Sequence, residues 1–187
     1  AEVASTVNEN LLFHYLLDRT EDSEEKIVLL SSHLDGIRST LYRQAFFADF
    51  ERMMHKMVEA DEPMVPNVLC DKYKDLYAVY YGPGFTIDES LTYEWARIPH
   101  FYRPFYVYQY ATGISAAISL AKGILNTGEP AVKAYLNFLR SGGSKDPIDL
   151  LRAAGVDMSK PQPIIDAVKD FQETLTALKA TFKEIKS

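Results

Sequence analysis

Cysteine is almost missing from this chain: Cys70 is the only one in 187 residues. A single thiol excludes an internal disulfide and with it the stapled extracellular scaffold, so a reducing, cytoplasmic setting is expected. Positive charge is also short. Twenty Lys and Arg face 26 Asp and Glu, which leaves a formal charge of -6 and an isoelectric point near 5.2. That balance argues against a nucleic-acid partner or an anionic membrane surface, both of which call for basic stripes. Apolar runs are broken by charges or prolines before they reach the ~20 residues of a membrane span. No secretory leader is visible. Sustained period-two alternation is absent, so strands are not expected, and no repeat or low-complexity block interrupts the chain.

Familiar catalytic motifs are missing as well. The four histidines, His14, His33, His55 and His100, include no pair at i, i+4, and there is no Cys-x-x-Cys. The chain alone therefore lacks the set for a complete zinc site of a common type. Gly82-Pro-Gly84 has no Lys-Ser/Thr after it and reads as a turn, not a phosphate loop. Ser5 and Ser115 lie in no Gly-x-Ser-x-Gly elbow, and Cys70 has no histidine near it in sequence. His33 and His55 fall on charged helix faces and read as surface or boundary residues. His14, among aromatics and leucines, reads as a partly buried imidazole.

What is present is helix. With 47% apolar and 25% charged residues the composition is globular. Val3, Val7, Leu11, Leu12, Tyr15 and Leu16 recur at helical spacing from Glu2 to about Leu17. Ser23 reads as an N-cap ahead of Glu24 and Glu25. A long helix follows with Ile27, Leu30, Leu34, Ile37, Leu41, Phe46, Phe50 and Met57 on a drifting stripe, and it runs to about Glu59 before Pro63 and Pro66 break it. Further helices are expected over 68–81, briefly over 88–95, from Phe105 through the small-residue run 114–121, and near 130–139, 147–154 and 163–185. Pro99 and Pro104 place His100 and Arg103 in a loop or turn. The expected fold is all-α, one helical unit over 1–187, with the sparsely apolar last helix on its flank.

The densest chemistry lies in His100-Phe-Tyr-Arg-Pro-Phe-Tyr-Val-Tyr-Gln-Tyr-Ala-Thr-Gly113. Tyr102, Tyr106, Tyr108 and Tyr110 bring four phenols into one short stretch. Each O–H needs a partner once it leaves water, so such a run suits a concave polar-binding surface better than a core. Glu2 and Glu9, seven apart, share a helical face with Ser5 between them. A carboxylate beside an apolar stripe is costly unless paired or metal-bound, and a solvated acidic pair is the alternative. The chain opens Ala1-Glu2-Val3 with no Met, as though already within a helix. It is therefore expected to be part of a longer protein, a processed natural terminus being the other possibility.

Two segments carry a family resemblance. Glu2-Val-Ala-Ser-Thr-Val-Asn-Glu9 with Asn10-Leu-Leu resembles the segment downstream of the zinc motif in the oligoendopeptidase F family, metallopeptidases grouped with thimet oligopeptidase. Glu94-Trp-Ala-Arg-Ile-Pro-His-Phe-Tyr102 and Phe105-Tyr-Val-Tyr-Gln-Tyr-Ala-Thr-Gly113 resemble its substrate-binding segment, and Tyr81, Gly82, Pro83 and Gly84 also fit. The likeness covers Glu2 to about Asp166. It implies a zinc endopeptidase acting on short oligopeptides, with this chain as the C-terminal part of a larger, mainly helical catalytic domain. By the same resemblance Glu2 matches the third zinc ligand and Glu9 an acid that orients a ligand histidine. His100 matches a histidine near the substrate carbonyl, while Tyr106 and Tyr108 match phenols that bond the developing oxyanion. Tyr102, Arg103 and Tyr110 fall to substrate binding, though Tyr102 and Tyr110 also compete for the oxyanion role, and Arg103 is expected to pair mainly with an internal acid. The His-Glu-x-x-His that supplies the other ligands and the general base is absent here and is expected on an upstream segment. The competing readings are a non-catalytic helical peptide-binding module and an all-α scaffold whose tyrosines pack internally.

Overall fold

The computed structural model describes residues 2–185; the expectation placed on Ala1 lies outside the described residues. The elements are α1 (Val3–Leu17), α2 (Ser23–Ile37), a π-helical turn (Arg38–Tyr42), α3 (Arg43–Glu59) and α4 (Pro66–Tyr81). Two 3-10 segments (Glu89–Arg97, Pro99–Tyr102) precede α5 (Tyr108–Thr127), α6 (Glu129–Ser141), α7 (Pro147–Ala153) and α8 (Gln162–Ile185). No strand occurs among the described residues, so the all-α expectation holds. The chain forms two compact units, one from residues up to Leu41 and from Thr112 onward, the other Tyr42–Ala111.

In the first unit, Val7 of α1 is fully buried with Ala116, Ala117, Leu120 and Ala121 of α5, Tyr135 of α6 and Leu151 of α7. Ala116, Ala117 and Ala121 lie in a packed interior, where the small-residue run places them. Tyr135 satisfies its phenol by donating to the Ala4 carbonyl at 3.1 Å. The last helix does lie on a flank: α8 packs along α2, and His33 bonds Asp170 across that contact at 2.7 Å. His33 is thus more enclosed than a charged face implies, its ring stacked on Phe13 at 3.8 Å between centroids. Its acid partner lies 137 residues away in sequence, out of reach of any local pattern. His14 is partly buried as expected, and burial holds its imidazole below the usual range.

The second unit is built on aromatic packing. Phe46, Phe47 and Phe50 of α3 meet Leu69, Tyr73 and Tyr77 of α4, closed by Ile98 and Val107. Phe50 is fully buried and meets Tyr73 edge-on, centroids 4.7 Å apart. Gly82 ends α4 at φ +72, a left-handed value that glycine takes without steric cost.

Local details differ from the pattern in three places. The N-cap of α2 is Asp22, not Ser23: its extended backbone lets the carboxylate accept the Glu25 N–H at 2.9 Å. The long helix does run to Glu59, but with a π turn at Arg38–Tyr42 in place of regular winding. Helix α5 starts at Tyr108 and not Phe105, because Phe105 sits at φ +58 and cannot continue a right-handed helix. Phe50→Ala is expected to destabilise the protein by about 3–5 kcal/mol, the usual cost of emptying a buried phenylalanine site, as read by urea unfolding.

Candidate active site

The aromatic stretch folds as turn, reversal and helix start. Pro99 opens the 3-10 turn that carries His100. Arg103 follows in extended backbone, Phe105 reverses the path, and fully buried Val107 pins it to the core ahead of α5. This path brings three of the expected residues together. His100 Nε2 lies 3.0 Å from the Tyr110 phenol oxygen. The Tyr106 ring lies nearly parallel to the imidazole (5.8 Å, 9°), and Tyr110 stands edge-on to both. One proton joins His100 to Tyr110; when Nε2 accepts it from the phenol, the neutral imidazole carries its own hydrogen on Nδ1.

Tyr102 is 82% exposed and Tyr108 48% exposed, so the scaffold reading, in which these tyrosines are shielded from solvent, does not describe them. Arg103 is exposed and makes no ion pair among the described residues, so the internal acid expected for it is not found there.

Behind the turn lies a feature that the sequence reading passed over. Glu94, on the first 3-10 segment, is 6% exposed and takes four donors. Tyr73 and Tyr77 donate to Oε2 at 3.0 and 2.8 Å, while Arg43 and Arg97 donate to Oε1, Arg97 at 2.6 Å. Burial alone would raise its pKa, but the hydrogen bonds of Tyr77 and Tyr73 and the Arg43 charge outweigh it, and the carboxyl stays below its ordinary range. Burial first, then Glu94 itself, pushes both phenols far above theirs. The signal available in sequence was Tyr73 and Tyr77 at i, i+4 on one helix face, with Glu94 and Arg97 at i, i+3. Glu51 was also missed: it is 3% exposed and accepts the Phe105 N–H at 2.9 Å.

In the first unit, Glu2 stands at the start of α1, exposed, with Ser5 Oγ donating to its Oε2 at 3.1 Å. Glu9 is exposed seven residues on and lines a groove of about 370 Å³ between α1 and α2, with Thr6, Asn10 and His33. Neither acid is ion-paired among the described residues, so the Glu2 carboxylate has lone pairs to offer a divalent cation. No group of three or more His, Cys, Asp or Glu is gathered to hold a metal among the described residues. These residues therefore fit a single ligand and not a whole site.

This all-α chain, with a histidine–tyrosine cluster and an exposed acid at the head of a helix, matches the family model described as Peptidase family M3 over residues 1–170. The chain belongs to peptidase family M3, as its resemblance to oligoendopeptidase F implies. It is 47% identical to oligopeptidase PepF of Bacillus subtilis (strain 168), aligned over 100% of this chain and 28% of that protein. It is 43% identical to an oligoendopeptidase F homolog of Borreliella burgdorferi over 98% of this chain and 31% of the relative. The crystal structure of oligoendopeptidase-F from Enterococcus faecium superposes with a TM-score of 0.94 at 43% identity, over 98% of this chain and 35% of that one. The chain thus spans about three tenths of the length of these curated relatives.

The Glu94 network has a pH signature. Because its folded pKa is depressed, its contribution to stability is fully present above the unfolded value, near 4.5, and is lost as pH falls through the folded value. Glu94→Gln is expected to lower stability at neutral pH by about 3–5 kcal/mol, since it removes one member of a buried charge cluster. Unfolding curves of that variant at pH 7 and pH 4 should lie closer together than those of the wild type.

Proposed function

We propose that this chain supplies the substrate-facing wall and one metal ligand of a zinc-dependent endopeptidase that hydrolyses short oligopeptides in the cytoplasm. The observation that carries this reading is the His100–Tyr106–Tyr110 cluster, in a chain that belongs to a peptidase family. Names such as oligoendopeptidase F among the relatives favour oligopeptides as substrates. The remaining ligands and the general base come from a segment outside this chain, its partner in the site. Buried, unpaired Cys70 suits a reducing compartment. No helix among the described residues is long and apolar enough to cross a membrane.

Glu2 would hold the zinc, and Glu9 would orient a ligand histidine supplied by the segment outside this chain. The zinc, when bound, supplies Lewis-acid chemistry. Attack on a peptide carbonyl builds negative charge on its oxygen, and donors fixed in advance lower that barrier. His100 is such a donor, its orientation set by the Tyr110 bond and the Tyr106 face. The phenols of Tyr106 and Tyr108 donate to the same developing charge. Exposed Tyr102 and Arg103, with half-buried Tyr110 beside them, bind the peptide: rings stack on its backbone, and the Arg103 guanidinium receives a carboxylate.

In the full-length protein, Glu2→Gln is expected to abolish stoichiometric zinc and cleavage of a quenched peptide. Retained zinc with retained turnover removes Glu2 from the site. Tyr106→Phe and Tyr108→Phe each lower kcat, by about a hundredfold for a true oxyanion donor, and leave KM nearly unchanged. A change in KM alone reduces that tyrosine to substrate binding. A full-length protein that binds peptide with no cleavage and no chelator effect supports the non-catalytic peptide-binding module.

A further inference from the structure

We propose that Glu51 is a positioning residue for this site, its buried carboxylate holding the Phe105 amide and so fixing the loop in which His100, Tyr106 and Tyr110 meet; the inference rests on the function proposed above. Glu51 is 3% exposed, and none of the ion pairs among the described residues includes it. A carboxylate in such surroundings is costly unless hydrogen bonds compensate it. The bond it makes is to a loop amide: the Phe105 N–H donates to Oε1 at 2.9 Å.

Phe105 is where such a bond has most effect. Its φ of +58 is left-handed, a region an aromatic residue enters only when its surroundings impose it. Hydrophobic burial does not impose it here, because Phe105 is 57% exposed. What holds it comes from one face of α3. Glu51 takes its amide, and His55, one turn further on, stacks on its ring with centroids 4.6 Å apart. The reversed residue lies between the His100 turn and the first turn of α5, with Tyr106 next to it and Tyr110 five residues on. A Phe105 released to ordinary extended backbone changes the direction of the chain between His100 and Tyr110 and breaks their 3.0 Å contact. A carboxylate suits the task because a charge-assisted bond to an amide is stronger than a neutral one.

The experiment uses the full-length protein with three readouts: amide exchange at Phe105, thermal unfolding, and kcat and KM on a quenched peptide. In the wild type, the Phe105 amide should exchange at least about tenfold more slowly than an open loop amide, although it lies in no helix. Glu51→Met fills similar volume with no comparable acceptor. It should abolish that protection and lower kcat about ten- to a hundredfold, as expected when reacting groups are misplaced by an ångström, while KM holds within about threefold. Glu51→Gln keeps an acceptor oxygen and should restore protection and bring kcat to within about threefold of the wild type. An unprotected Phe105 amide in the wild type overturns the proposal without any variant, even if Glu51→Met does not fold. So does a folded Glu51→Met with wild-type kcat, or a Glu51→Gln as impaired as Glu51→Met. A wild type that cleaves no peptide defeats the catalytic reading, and the exchange measurements still decide the Glu51 anchor.

Discussion

A carboxylate taken out of water has to be compensated where it lies, and Glu94 imposes that requirement on the whole second unit. Its donors come from three elements: Arg43 from the start of α3, Tyr73 and Tyr77 from α4, and Arg97 from its own 3-10 segment. No one of these elements is fixed by hydrophobic contact alone, since apolar packing does not specify direction. Directional bonds converging on one side chain do. They set the first 3-10 segment against α3 and α4, and the turn with His100 starts two residues after that segment ends. The aromatic core around Phe50 and Tyr73 packs within the same unit, with Tyr73 and Tyr77 belonging both to it and to the Glu94 network.

Two buried glutamates thus do different work in the same unit. Glu94 is surrounded by cations and phenols and behaves as a structural anion. Glu51 has no ion pair among those of the described residues and is turned to a single loop amide. Against the cost of burial, the phenol hydrogen bonds and the Arg43 charge hold the Glu94 carboxyl below its ordinary range, so it is ionised at neutral pH. In the first unit a lighter version of the same logic joins α2 to α8, where His33 and Asp170 meet beside the Phe13 ring.

The helices were legible because periodicity and proline are local signals. The breaks at Pro63 and Pro66, the turn at Gly82 and the alanine-rich interior of α5 all follow from neighbours in sequence. The family was legible because its motifs are contiguous strings around Glu2 and His100. What stayed hidden depends on distance. Glu94 draws donors from 51 residues upstream, and His33 finds its acid 137 residues downstream. Phe105 reads as the start of a helix by composition; its left-handed backbone reflects an amide held by a side chain 54 residues away. The cluster of His100 with Tyr106 and Tyr110, as against Tyr102, was likewise settled by a chain reversal that composition does not encode.

The π turn at Arg38–Tyr42 has a consequence for how the gene tolerates length changes. Upstream of it the buried positions are Leu30, Leu34 and Ile37; downstream they are Phe46, Phe47 and Phe50. The wider turn accommodates one residue more than a regular ladder. Removing a codon there would take out that extra residue and restore regular winding, in which each residue advances about 100° around the helix axis. An in-frame deletion in this short window would therefore be felt well beyond it, whereas the loop at residues 142–146 could lose a residue with little effect on either hydrophobic cluster.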